Sequence, residues 1–156
     1  MGYAERIKGC MEVERLVAEI YLVFAHRFRE DLDFWEDLSL EELEHINILN
    51  LVETYGPFED DESDAPKLSK EEAIMRTLSY IHGVKERVNA APLTRVSTFK
   101  YALDLEDTMV EMYLNELKEL ERMDKSKEMQ RILTEERTHN EMIVQYMENN
   151  GLAHYS

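Results

Sequence analysis

Apolar residues recur along most of this chain at spacings of three and four. Over the first stretch they fall at Ile7, Cys10, Val17, Tyr21, Phe24 and Phe28, with one gap of seven. That is the seam of an amphipathic helix, and it predicts a helix over about 4–29. A second seam carries Leu38, Leu49 and Val52, and Asp33 with Glu36 makes a capping box. Ser39 with Glu42 is a rival box, but Phe34, Trp35 and Leu38 already follow the helical pattern, so the second helix is placed at about 33–54. The acidic, proline-containing run after Tyr55 reads as a loop over 56–68. Ser69 and Glu72 would open a shorter helix of about 70–89, which Ala91-Pro92 ends. A long helix follows over about 94–122. Asp124 can cap a last one of about 125–149, stopped by Asn149-Asn150-Gly151. No strands are expected. The sum is all-α: four long helices, with a short helix in the link between the second and third. A 25-residue helix is about 38 Å long, so four of them enclose room for a site.

The seams contain residues that should not be there. Filled through their gaps they read Cys10, Glu14, Val17; Leu38, Glu42, His45, Leu49; Ala102, Glu106, Met109; and Ile132, Glu136, His139, Ile143. Each long helix therefore places a carboxylate where its neighbours mark the core, and two helices add an imidazole. One unpaired buried carboxylate costs several kcal/mol. Four would consume the roughly 5–15 kcal/mol that holds a domain together. Either these side chains turn to water, or something positive sits among them. No Lys or Arg occupies the seams nearby. Two divalent cations would neutralise four carboxylates, with two neutral imidazoles completing the set.

A Glu three places before a His is a weak signal, because chance supplies roughly one such pair in a chain this rich in Glu. Internal repetition strengthens it. Glu42-Leu-Glu-His45 and Glu136-Arg-Thr-His139 stand 94 residues apart, each preceded by another Glu (Glu41, Glu135). Glu14 and Glu106 stand 92 apart, each followed seven residues later by a tyrosine, Tyr21 and Tyr113. The chain reads as two copies of one helix pair.

These segments carry a resemblance. AEIYLVFAHRF after Glu14, FWEDLSLEELEH, LDLEDTMVEMY and EERTH resemble the ferritin-like di-iron carboxylate superfamily, nearest its rubrerythrin branch. The resemblance spans the four long helices. It implies a single ferritin-like domain over 1–156, a four-helix bundle with a long crossover between the second and third bundle helices. It also implies two irons per chain, with Mn or Zn as substitutes. Glu14 and His45 would serve one iron, Glu106 and His139 the other, and Glu42 and Glu136 would bridge. The implied activity is oxidation of Fe(II) with O2 or H2O2. A metal-storage bundle and a di-iron oxygenase acting on a small organic molecule are the alternatives, and a homodimer is the expected assembly. Tyr21 and Tyr113 would hydrogen-bond ligand carboxylates, orient them or give up an electron. Two features depart from the branch: there is no CxxC-bearing domain, and Met109 stands where an additional glutamate is usual.

Composition changes the picture little. The net charge of -16, from 34 acids and 18 bases, disfavours nucleic acid and can attract cations. The single Cys10 excludes an intrachain disulfide and any CxxC metal site, and points to packing. No apolar run approaches the roughly 18 residues of a membrane span, and the first residues lack a signal peptide's apolar core. A cytoplasmic location is the expectation, with an unassigned electron donor. The acidic 59–64 run reads as a solvated loop, and His26, His82 and His154 carry no role.

Overall fold

The chain is described by a computed structural model, which covers residues 2–55, 67–120 and 127–152. Among these there are five α-helices and no strand: α1 (Tyr3–Arg27), α2 (Leu32–Tyr55), α3 (Lys67–Ala90), α4 (Arg95–Leu120) and α5 (Lys127–Asn149). None of the described helices is long and apolar enough to cross a membrane.

The boundaries follow local chemistry. α1 stops two residues earlier than its seam suggests because Phe28 leaves the helix at φ -127°, ψ 84°, its N–H still bonded to Phe24 O. A 3-10 turn, Arg29–Asp31, then leads into α2. The expected Asp33 cap does not form the start. Leu32 is already helical where the 3-10 turn runs into α2, leaving no extended residue to act as an N-cap, and Asp33 lies in the first helical turn. There its charge favours the positive helix end. α3 begins at Lys67 and runs 24 residues, as long as α2, so the helix in this link is not short. Ser69 and Glu72 fall inside it, because Lys, Leu and Glu support helix from the first residue after Pro66. Thr94 opens α4 through a reciprocal cap: its Oγ1 accepts from Ser97 N (3.1 Å), and Ser97 Oγ accepts from Thr94 N (2.9 Å). α5 closes at Asn149 as expected. Gly151 takes φ 66°, and Leu152 N bonds Met147 O at 2.9 Å, a left-handed glycine stop. The expected loop up to Pro66, the Asp124 cap, the 59–64 run and His154 lie outside the described residues.

Four helices form a bundle-like square in which α1 packs on α2 and α4, and α5 packs on α2 and α4. Side-chain pairs give the directions. Glu14 meets Tyr113 while Tyr21 meets Glu106, so α1 and α4 are antiparallel. Ser39 donates to Ala18 O while His45 lies beside Glu14, so α1 and α2 are antiparallel too. α2 and α4 therefore run the same way, and the chain must travel back between them. α3 lies outside the square against α1 and α4. It passes Gly9 at Ile74 and pairs Lys85 with Glu19, which makes it parallel to α1.

The core fills the square along its length. Ile7, Val17, Phe24, Trp35, Leu38, Leu49, Phe99, Met109, Ile132 and Ile143 are all fully buried, as is Cys10. Each such side chain contributes on the order of 1.5–3 kcal/mol, and together they fix the rotation of every helix about its axis. One end is also clasped by charge. Buried Asp31 takes two hydrogen bonds from Arg95 (2.8 and 2.6 Å) and one from Tyr146 OH (2.7 Å). That joins the 3-10 turn to the start of α4 and the end of α5.

Candidate metal centre

Because the apolar seams face inward, the polar residues set into them face inward as well. Glu14 on α1, Glu42 and His45 on α2, Glu106 on α4, and Glu136 and His139 on α5 are all buried. The i, i+3 spacing puts each Glu–His pair on one helical face, a turn apart. The six residues form two groups. One ligand atom each from Glu14, Glu42, His45 and Glu136 lies within 4.8 Å of the others, and the same holds for Glu42, Glu106, Glu136 and His139. Glu42 and Glu136 belong to both.

Distances inside the cluster are short. His45 Nδ1 is 2.8 Å from Glu136 Oε1, 3.4 Å from Glu14 Oε1 and 3.5 Å from Glu42 Oε2. His139 Nδ1 is 2.8 Å from Glu42 Oε1, 3.6 Å from Glu106 Oε1 and 3.7 Å from Glu136 Oε1. The two imidazoles lie nearly parallel, 5.8 Å apart between centroids. Yet one oxygen each of Glu14, Glu42 and Glu106, both oxygens of Glu136, and His45 Nδ1 make no aligned hydrogen bond among the described residues. Buried polar atoms are normally satisfied. Five orphaned oxygens and an orphaned nitrogen turned on one small space fit a cation there. The donor set, carboxylate oxygen with two imidazoles and no thiolate, suits Fe(II), Mn(II) or Zn(II).

The surround repeats the twofold pattern. Tyr21 OH on α1 donates to Glu106 Oε1 on α4 (2.7 Å), and Tyr113 OH on α4 donates to Glu14 Oε1 on α1 (2.5 Å). Both tyrosines singled out from the sequence thus hold a candidate ligand of the opposite helix. Two residues without an assigned role complete the set. His45 Nε2 lies 2.7 Å from Glu135, and His139 Nε2 lies 2.9 Å from Glu41. Each carboxylate reaches across from the neighbouring helix. Glu135 hydrogen-bonds His45 Nε2 and favours the proton there, which leaves Nδ1 for a cation, whereas Glu41 Oε2 beside His139 makes no aligned hydrogen bond among the described residues. Their signal was the duplicated Glu before each motif. Both are part-exposed, 45% for Glu41 and 39% for Glu135, so on sequence grounds they pass for surface acids.

Without a cation, protons must hold the cluster together. Burial pushes the Glu14 and Glu136 carboxyls well above the ordinary range. Neighbouring carboxylates push the same way: Glu42 on Glu14, and Glu106, Glu14 and Glu42 on Glu136. Burial and Glu106 act likewise on Glu42, but the close polar approach of Glu14, His139 and His45 outweighs them, and its carboxyl is lowered. Burial opposes charge on the imidazoles, yet Glu14 and Glu42 hold His45 up to about 11, and Glu106 and Glu42 hold His139 up to about 11. The cluster is a buried excess of negative charge that collects protons.

A cavity of about 290 Å³ lies elsewhere, between α3 and α4, lined by Ile74, Thr77, Thr108, Met112 and Glu116 among others. His26 and His82 are exposed and belong to neither ligand group. The chain matches no model of a protein family, no curated protein and no solved structure. What the cluster does is therefore argued from its own chemistry.

Proposed function

We propose that this chain is a ferritin-like di-iron carboxylate protein of the rubrerythrin type, oxidising Fe(II) with O2 or H2O2. One observation carries the reading: two overlapping groups of buried ligands share Glu42 and Glu136. A Glu from each of two helices with a Glu-x-x-His from each of the other two is the donor pattern of di-iron bundles. The parallel course of α2 and α4, with α3 between them in the chain, supports the ferritin-type crossover.

In this reading Glu14 and His45 would hold one ion and Glu106 and His139 the other, with Glu42 and Glu136 available to both. Bound iron supplies Lewis acidity and the one-electron steps that reduce O2 or H2O2. The chain supplies the rest. Tyr21 and Tyr113 fix the carboxylates of Glu106 and Glu14 through their hydroxyls. Glu135, hydrogen-bonded to His45 Nε2, orients that imidazole, and Glu41 lies 2.9 Å from His139 Nε2. Fully buried Val17, Leu105 and Met109 on α1 and α4 belong to a dry core that strengthens every charge interaction inside it.

A second reading, metal binding or storage without turnover, draws on Met109: the usual additional glutamate is replaced by a buried thioether. An oxygenase would need apolar room beside the ions, and the cavity between α3 and α4 is lined by none of the six residues. The readings separate when protein loaded anaerobically with Fe(II) is exposed to O2 or H2O2 and followed by absorption. Two ferrous ions per chain, an oxo-bridged diferric band and repeated ferrous oxidation are expected. Retained metal that never changes oxidation state favours storage, and failure to take up iron overturns the proposal.

A further inference from the structure

The internal symmetry of the site is broken on one side by aromatic rings. Beyond Tyr21, the Trp35 ring lies 5.3 Å away between centroids. Phe99 is 4.7 Å from Trp35, and Tyr146 is 5.5 Å from Phe99. A parallel path runs from Trp35 to Phe34 (5.1 Å) and on to Tyr146 (4.1 Å, stacked). At the repeat-related positions the other half of the chain has Met129 for Trp35, Glu128 for Phe34, Ile7 for Phe99 and Val52 for Tyr146. Filling a core needs no such asymmetry, because Met, Ile and Val fill the matching places.

The chemistry along the path is also graded. Tyr21 and Tyr146 each donate to a carboxylate at 2.7 Å, Glu106 and Asp31 respectively, so each can lose an electron and a proton together. Trp35 lies between them, fully buried, and its indole N–H has no hydrogen-bond partner among the described residues. A cation radical there has no base to hold it and passes its charge on. Tyr146 is only partly buried and lies within reach of molecules in solution.

We propose that Tyr21, Trp35 and Tyr146 form an electron conduit from the surface at the end of α5 to the metal-binding cluster, fed by an external one-electron reductant of the phenol, thiol or enediol class. The proposal rests on the di-iron reading and gives that site a route for electrons. Tyr21 would give one electron to the di-iron site once O2 or H2O2 has oxidised it, and its proton would move to Glu106 Oε1. Trp35 gives one electron to the Tyr21 radical, which regains its proton. Tyr146 gives one electron to the Trp35 cation radical and its proton to Asp31 Oδ1. The reductant returns one electron to Tyr146, the proton returns from Asp31, and the reductant leaves in its one-electron oxidised form. Phe34 and Phe99 carry no charge themselves and shorten the gap.

Trp35 is the chain's one tryptophan, which permits a test in two arms. In the first, metal-free protein is illuminated at the red edge of indole absorption with a soluble electron acceptor and a radical trap, and adducts are mapped by mass spectrometry. Trap adducts on Tyr146 are expected, since the hole reaches the one conduit tyrosine that a trap can touch. Oxidised Trp35 without adducts on Tyr146 overturns the conduit. In the second arm, iron-loaded protein is treated with H2O2 and the same trap. Adducts on Tyr146 should fall at least tenfold in Trp35→Phe at unchanged iron content, and Tyr146→Phe should slow re-reduction by ascorbate at least tenfold. Adducts equal to wild type in Trp35→Phe overturn the proposal. Should the chain take up no iron, the di-iron reading fails, and the first arm alone decides the conduit.

Discussion

A glutamate in an apolar seam is a costly residue, and the four here show why it stays legible. Neighbours at three and four residues mark Glu14, Glu42, Glu106 and Glu136 as buried, and all four are. Their burial together costs stability when no cation is present. In Glu136→Met, a buried carboxyl that burial and the neighbouring Glu106, Glu14 and Glu42 push above its ordinary range leaves the cluster. Replacing a whole buried ionic group with fitted apolar side chains often stabilises by about 1–4 kcal/mol, whereas stranding one partner destabilises; His45, 2.8 Å from Glu136, keeps Glu14, Glu42 and Glu135 beside it when Glu136 goes. Urea unfolding in chelator should show Glu136→Met more stable than wild type by that order, and metal should no longer protect the variant. Equal or lower stability in chelator would mean that the cluster is not strained. The pH dependence follows from the same groups. His45 and His139 are raised from 6.5 to about 11, so their contribution is full below about 6.5 and lost as pH rises toward 11. Glu14 and Glu136 are raised above 4.5, so the penalty of ionising them also grows with pH. Lowered Glu42 works the other way, but its window lies below 4.5. The melting temperature of the metal-free protein should therefore fall between about pH 6 and about pH 9, while metal affinity rises as protons are displaced. A flat profile in chelator would contradict this. Glu41 and Glu135 escaped assignment because the helix each one faces depends on how α2 and α5 cross, and one-dimensional spacing does not carry that.

Among the elements, helix type and number were readable because periodicity is a local property. The ends were less so. The 3-10 turn at Arg29–Asp31 exists because Asp31 is drawn inward to Arg95 and Tyr146, partners 64 and 115 residues away. The position of α3 was not readable either, although a glycine records it. A Cβ on Gly9 would lie 2.7 Å from Ile74 Cγ2, whereas one on Gly83 meets nothing within 4 Å. Both are helical, so alanine should gain about 0.5–1 kcal/mol at either site from propensity alone. Chemical unfolding should show that gain in Gly83→Ala and a net loss in Gly9→Ala, relieved by adding Ile74→Ala. A stabilised Gly9→Ala would mean that α3 does not press on α1 there.

At the scale of the whole molecule the cluster and the fold explain each other. Four helices from distant parts of the chain each bring a charge that none could bury alone, and α3 allows α2 and α4 to run in the same direction. The repeats at 92 and 94 residues become a spatial twofold, visible in the exchanged contacts Tyr21–Glu106 with Tyr113–Glu14 and His45–Glu135 with His139–Glu41. In the proposed di-iron reading, the sharing of Glu42 and Glu136 makes binding of the two ions interdependent, and this leads to the most direct test. Anaerobic titration with Fe(II), read as ions bound per chain, should give two for wild type, one for Glu14→Ala or Glu106→Ala, and none held tightly by Glu42→Ala or Glu136→Ala. Equal stoichiometry in all five proteins, or no tight binding by wild type, would contradict the shared two-ion site.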